Sequence, residues 1–172
     1  MLTILHASHI SNTTPPQGYG GIELIVDILA RHQVREGLNV KVMGVKSPGV
    51  KTEYEFIQVF KDPVKKLSLK HKFKYMLELL KEARGSDVIH LHVQWLAAIA
   101  PALKYLRIPV LLTLHADLSN DALSHLIRRF GITLIAISYT QRERMEKRGF
   151  KVYDVIYHGI EVEKYPFIKD KE

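Results

Sequence analysis

The residues best able to do chemistry in this chain are its histidines, and several fall where a short apolar run ends. His90 and His92 lie two apart in the run Asp87 to His92, so on a strand their side chains would share a face. With His115 after the run Val110 to Leu114, and His6 or His9 beside the first run, they could converge on a metal ion. The acidic residues, however, lack recognisable metal-ligand spacing, and Asp117 is the only carboxylate obviously close by. A histidine hydrogen-bonded at a strand end is the commoner outcome, so no metal ligands are expected. His115 stands apart, because its strand would aim it straight into a crevice. There it could donate a hydrogen bond to a substrate hydroxyl or phosphate, or stabilise charge.

A second feature is the pair Gly20-Gly21, which opens a segment of helical period. Glycines there let a backbone approach a ligand closely, and the free N–H groups of a helix start favour an anion. A turn that merely needs positive φ would explain the pair equally well, and both readings stand open. The pair does not complete a dinucleotide fingerprint: counted from Gly18, the third glycine of G-x-G-x-x-G is replaced by Glu23. No Gly-Lys-Ser/Thr follows, which excludes a P-loop.

These residues need a scaffold, and short apolar runs alternating with helical periods predict one: a single Rossmann-like, doubly wound, mostly parallel α/β sheet with helices on both faces. Strands are expected at Leu2 to His6, Leu38 to Val45, Phe56 to Val59, Asp87 to His92, Val110 to Leu114, Thr133 to Ile137 and Val155 to Tyr157. Helices are expected from Ile22 to a stop at Gly37, then at Val64 to Arg84, Trp95 to Leu106, Asp121 to Arg129 and Thr140 to Arg148. The Pro- and Gly-rich loop Ala7 to Gly20 is too long for a mere connector. Ligands of such sheets bind at the carboxyl ends of the strands. That edge would gather His9, Gly20, Gly21, His92, His115, Asp117, Ser138 and His158.

Composition narrows the class. With 172 residues and 47% hydrophobic residues, the chain can bury one substantial core. No run approaches the roughly 20 apolar residues that span a bilayer. Cysteine is absent, and the first residues lack the pattern of a secretory signal, so a cytoplasmic location is expected. The net charge of +7 calls for an acidic partner such as nucleotide phosphate or anionic lipid. Six lysines and His71 lie between Lys61 and Lys74, opposed only by Asp62. This segment is partly amphipathic, which allows peripheral contact with an anionic membrane. A solvated helix face is the plainer reading, and such lysine-rich faces also serve charge networks in thermophile proteins. Nucleic acid is not expected, because no aromatic platform is interleaved with the lysines.

Taken in order, the pieces resemble the N-terminal domain of glycosyltransferase family 4, enzymes of the GT-B fold. They are the first strand and its loop with Gly20-Gly21-Ile22-Glu23, Glu36-Gly37-Leu38-Asn39-Val40, and Asp87-Val88-Ile89-His90-Leu91-His92. Pro109-Val110-Leu111-Leu112-Thr113-Leu114-His115, Ile135-Ala136-Ile137-Ser138 and Val155-Ile156-Tyr157-His158-Gly159-Ile160-Glu161 follow. The set covers nearly the whole chain. His158 stands where the family commonly has Asn, and Glu161 where it has Asp.

The resemblance implies transfer of a sugar from a nucleotide-sugar to an acceptor hydroxyl of a glycan or lipid, with retention of configuration and no required metal or cofactor. It places Gly20 and Gly21 near the donor phosphates, His115 on the transferred sugar as the catalytic candidate, and Ser138 on the same cleft. His158 to Ile160 would lead into an interdomain hinge. Residues 1–160 would form the acceptor-side domain and 161–172 the start of the hinge or tail, with the donor-binding domain missing from the chain. That domain would have to be supplied in cis or as a separate chain, and the chain alone is expected to be inactive. A non-enzymatic module binding a glycan or partner is the alternative, and a histidine-cluster metal hydrolase a more distant one.

Overall fold

A computed structural model describes residues 1–118 and 121–164. Seven strands form one sheet in the order β3-β2-β1-β4-β5-β6-β7, and every adjacent pair is parallel. They are β1 (Thr3–Ala7), β2 (Asn39–Gly44), β3 (Glu55–Gln58), β4 (Val88–Leu91), β5 (Val110–Leu114), β6 (Thr133–Ala136) and β7 (Val152–Val155). The helices are α1 (Gly21–Arg35), α2 (Leu69–Ala83), α3 (Ala100–Tyr105), α4 (Asp121–Phe130) and α5 (Tyr139–Lys147). The strand order reverses between β1 and β4, which opens a crevice at their carboxyl ends.

Helices cover both faces, unequally. On one face Val26 and Ala30 of α1 pack on Val40 and Val42 of β2 and on Tyr54. On the other, Tyr75, Leu79 and Ala83 of α2, Leu103 of α3, Ile127 of α4 and Met145 of α5 bury Leu5, Ile89, Leu91, Leu112, Leu114 and Leu134. The buried Tyr75 hydroxyl sits 2.9 Å from the carbonyls of both Ser8 and Met43, tying α2 to the ends of β1 and β2. Helix α1 stops where Gly37 takes φ +83°, the left-handed conformation a helix end favours in glycine.

Three expected elements differ, each for a local reason. The helix expected from Val64 begins only at Leu69, because Ser68 caps it in a capping box with His71, and Val64 N–H instead donates to Ile10 O at 2.7 Å. The helix expected at Trp95 to Leu106 is split into a 3₁₀ segment, Gln94–Ile99, and then α3. Pro101 lacks the N–H that would continue a ladder back to Ala97. The last strand is Val152–Val155 rather than Val155 to Tyr157. Its partner β6 ends at Ala136, whose carbonyl takes the Ile156 N–H at 2.9 Å, and Ile156 and Tyr157 are exposed beyond it. Of the tail expected at 161–172, residues 165–172 lie outside the described residues.

Candidate active site

The register of β1, β4 and β5 assembles the histidines. His6 on β1 is paired across the sheet with His90 on β4, and His92 follows two residues on, past the end of β4. His115 follows the last residue of β5. The rings form a hydrogen-bonded column. His6 Nε2 lies 2.6 Å from Gln33 Oε1, and His6 Nδ1 lies 3.0 Å from His92 Nε2. His92 Nδ1 is 3.1 Å from His115 Nε2, and His115 Nδ1 is 3.0 Å from His158 Nε2. His90 stands beside the column with Nε2 2.8 Å from Thr113 Oγ1.

Gln33 gives this column a direction. Its carbonyl oxygen can only accept, so His6 donates from Nε2 and offers the Nδ1 lone pair. His92 must then donate from Nε2, and the same rule passes outward to His115 and His158. Each ring of the neutral column therefore carries its proton on Nε2. Burial keeps the rings neutral. It lowers the pKa of His6 to about 4, against a smaller opposing effect of the Gln33 hydrogen bond. Burial, aided by neighbouring histidines, holds His90 and His92 well below the ordinary range. His115 is also brought to about 4, by burial first and by His158 next. At neutral pH His115 thus acts as a hydrogen-bonding group rather than as a cation.

Beside the column, the loop after β1 meets the start of α1. His9, Ile22, His92, Gln94, Trp95, His115 and Asp117 line a cavity of about 370 Å³. Glu23 is buried and accepts from Asn12 at 3.4 Å, with His9 Nδ1 3.5 Å away. Burial works to raise its carboxyl, but His9, the backbone and Asn12 outweigh that and hold its pKa below the usual value. Trp95 Nε1 is buried and has no hydrogen-bond partner among the described residues.

The structure brings together His9, His92, His115 and Asp117 as the sequence expects, and joins His158 to them through His115. Asp117 is not free: Arg144 holds it through two bonds of 2.6 and 3.0 Å. Gly20 is extended at φ 170°, and neither it nor Gly21 takes the left-handed conformation that the turn reading needs, so that reading falls. At Gly20 an added Cβ would stand 2.8 Å from Pro16 Cβ, whereas at Gly21 it would meet open space. The first glycine permits tight loop packing, and the second leaves the start of α1 clear. Ser138 caps α5, accepting from Gln141 N at 3.1 Å, and sits at the next strand end rather than on the cavity wall.

Sequence reasoning missed Gln33, Thr113 and Arg31. Gln33 had one signal, a polar side chain four residues after Leu29 on the apolar stripe of α1. Arg31 grips Glu161 by two bonds of 2.8 Å and Asp27 by one of 3.0 Å. It fastens the segment after His158-Gly159-Ile160 onto α1.

The seven parallel strands, their order and the cleft at their carboxyl ends define the class: this is the N-terminal half of a GT-B glycosyltransferase fold. The sequence model of Glycosyltransferase Family 4 matches residues 19–164, and the chain belongs to that family. Solved structures share the fold. The crystal structure of Anabaena HepE (Alr3699) with UDP-glucose matches with a TM-score of 0.68 at 18% identity, over 96% of this chain and 46% of that one. HepE with UDP and glucose gives 0.69 at 20%, over 96% and 46%. Sucrose-phosphate synthase of Thermosynechococcus elongatus gives 0.61 at 13%, over 91% and 47%. The chain thus spans about half the length of the structures it resembles. No curated protein matches it in sequence.

Proposed function

We propose that this chain is the acceptor-side domain of a retaining glycosyltransferase that moves a sugar from a nucleotide-sugar to an acceptor hydroxyl. The carrying observation is the cleft that His115, oriented by the histidine column, lines together with Ile22 in the first turn of α1. The HepE structures hold UDP-glucose, or UDP and glucose, which supports a nucleotide-sugar as donor substrate here. In this reading the α1 N–H groups at Gly20 and Gly21 face the donor phosphates, and His115 contacts the transferred sugar. His115 has both ring nitrogens engaged, so His158 must yield one for the sugar to bind. Ser138 holds α5 at the neighbouring strand end, and His9 lines the cavity beside Glu23.

The donor-binding half is supplied by further polypeptide, in the same chain or another, and the segment pinned by Arg31–Glu161 leads toward it. The described chain alone turns over little or no donor, because diphosphate departure needs charge stabilisation from that half. The absence of cysteine fits a cytoplasmic location. Sugar transfer and donor hydrolysis, assayed with UDP-glucose first and then other nucleotide-sugars, test this. The domain joined to a donor-binding half should be active and the domain alone silent; robust turnover by the domain alone overturns the division of labour.

A second reading concerns where the acceptor is met. Leu69, Phe73 and Leu77 form an i, i+4, i+8 row along α2 that is 82%, 61% and 51% exposed. Exposed Lys66, Lys70 and Lys74 run beside it. An apolar row flanked by lysines suits the surface of an anionic membrane, and hence a lipid-linked acceptor. Among the described residues no helix is long and apolar enough to cross a membrane. Sedimentation with anionic and with neutral vesicles is the check: binding to the anionic ones alone supports this contact, and binding to neither rejects it.

A further inference from the structure

The proposed sugar transfer uses the cleft end of the histidine column, where His92 orients His115, and gives the three rings behind His115 no step of their own. His6, His90 and His92 are 0%, 8% and 2% exposed. One nitrogen from each lies within 4.8 Å of the others. Hydrogen bonds within the column and to Gln33 and Thr113 satisfy these buried rings in the neutral state, and an ion would take the place of the His6–His92 bond. We propose that these three histidines form a binding site for a divalent transition ion of the zinc class.

The outer partners support this. A ligating histidine ordinarily donates its other ring N–H to a fixed acceptor, which sets ring orientation. Here His6 Nε2 faces Gln33 Oε1 at 2.6 Å and His90 Nε2 faces Thr113 Oγ1 at 2.8 Å. His92 Nδ1 faces His115 Nε2 at 3.1 Å. The inner nitrogens, His6 Nδ1 and His92 Nε2, point at each other across 3.0 Å. Tetrahedral ligation with bonds of about 2.0–2.1 Å puts neighbouring nitrogens roughly 3.3 Å apart, so this pair must open by a few tenths of an ångström and turn toward the ion, while the His90 nitrogen, within 4.8 Å, closes on it. His90, held at Nε2, has Nδ1 left for the ion. A cavity of about 440 Å³, lined by His90, His92 and Gln33, gives a way in and room for an exchangeable fourth ligand. Three imidazole donors with no carboxylate or thiolate favour zinc, cobalt or nickel over magnesium or calcium.

Binding would also reset the column. With the ion on His92 Nε2, the proton that ring carried there must move to Nδ1, which then donates to His115 Nε2. The single proton of His115 in turn moves from Nε2 to Nδ1, facing His158 and the cleft. No ring gains or loses a proton overall, but the cleft nitrogen of His115 changes from acceptor to donor. His158 must turn its lone pair inward or swing away.

The test uses untagged protein stripped with a chelator and titrated with Zn²⁺ by calorimetry and with Co²⁺ by visible absorption. One ion per chain is expected, with the intense bands of tetrahedral cobalt. Binding should weaken at least about tenfold in His6→Asn and His90→Asn, and about 10–100-fold in Gln33→Leu, which removes an outer partner. Exposed His125→Gln should bind as the parent does. Nitrogen NMR of the parent should show the His115 proton on Nε2 without metal and on Nδ1 with it. The proposal is overturned if the parent binds neither ion, or if His6→Asn and His90→Asn bind undiminished. The parent titration stands even where a variant fails to fold, and neither readout requires sugar transfer.

Discussion

Two nitrogen-rich regions of this domain behave in opposite ways. The histidine column is built by strand register, buried between α1 and the sheet, and kept uncharged by the loss of water around it. The lysine face of α2 is built by helical period and stays in solvent with its apolar row beside it. Basic residues in the first region therefore serve direction and hydrogen bonding, and those in the second serve charge. Position in the fold, more than residue type, decides which chemistry a basic side chain can offer.

Changes to the column should have the larger effects. In the domain joined to its donor-binding half, His115→Ala should lower kcat by about 10²–10³-fold, the scale of losing one aligned hydrogen-bonding group in the transition state. Steady-state kinetics would show it, and an unchanged kcat would remove His115 from the chemistry.

The next effect is on stability. The His6 pKa is about 4 in the fold against 6.5 for an ordinary histidine. Between those values the unfolded chain binds the proton and the folded chain does not. Stability is therefore fully present above about pH 6.5 and is lost as the pH falls toward 4. The loss from His6 alone is about 3 kcal/mol, and His90 and His92 act in the same direction. Urea midpoints at pH 7.5, 5.5 and 4.5 should fall in that order. A flat profile would mean that the column is hydrated and charged.

Smaller again is the capping serine. Ser138→Ala should cost about 1 kcal/mol by leaving the Gln141 N–H unpaired, with little change in the affinity for nucleotide-sugar. A loss of affinity without a loss of stability would return Ser138 to the binding cleft.

The lysine face should give the smallest change in stability. Replacing Leu69, Phe73 and Leu77 with serine should shift the unfolding free energy by about 0.5 kcal/mol or less per site, as usual for exposed positions, while abolishing binding to anionic vesicles. Retained vesicle binding would locate the contact elsewhere.

What could be read in advance followed the same division. Strand periodicity and the punctuation at Gly37 and Pro109 made the α/β sheet legible, and the ordered pieces around Gly20-Gly21, His115 and Ser138 made the family legible. His90 and His92 could be placed on one face because a strand has period two. The partners could not: Gln33 reaches His6 from another element, and Thr113 reaches His90 across the β4–β5 register. Arg144 sits 27 residues from the Asp117 it neutralises, so the sequence left that carboxylate looking available. The edge of β7 was misplaced because Val152 and Val155 share their apolar signal with Ile156 and Tyr157, which run past the end of β6.

The most direct test of the proposed role is sugar transfer from a nucleotide-sugar, measured for the domain alone, for the domain joined to a donor-binding half, and for the joined protein carrying His115→Ala. Turnover should appear only in the joined protein with His115 intact. Equal turnover by all three would contradict both the acceptor-side assignment and the part given to His115.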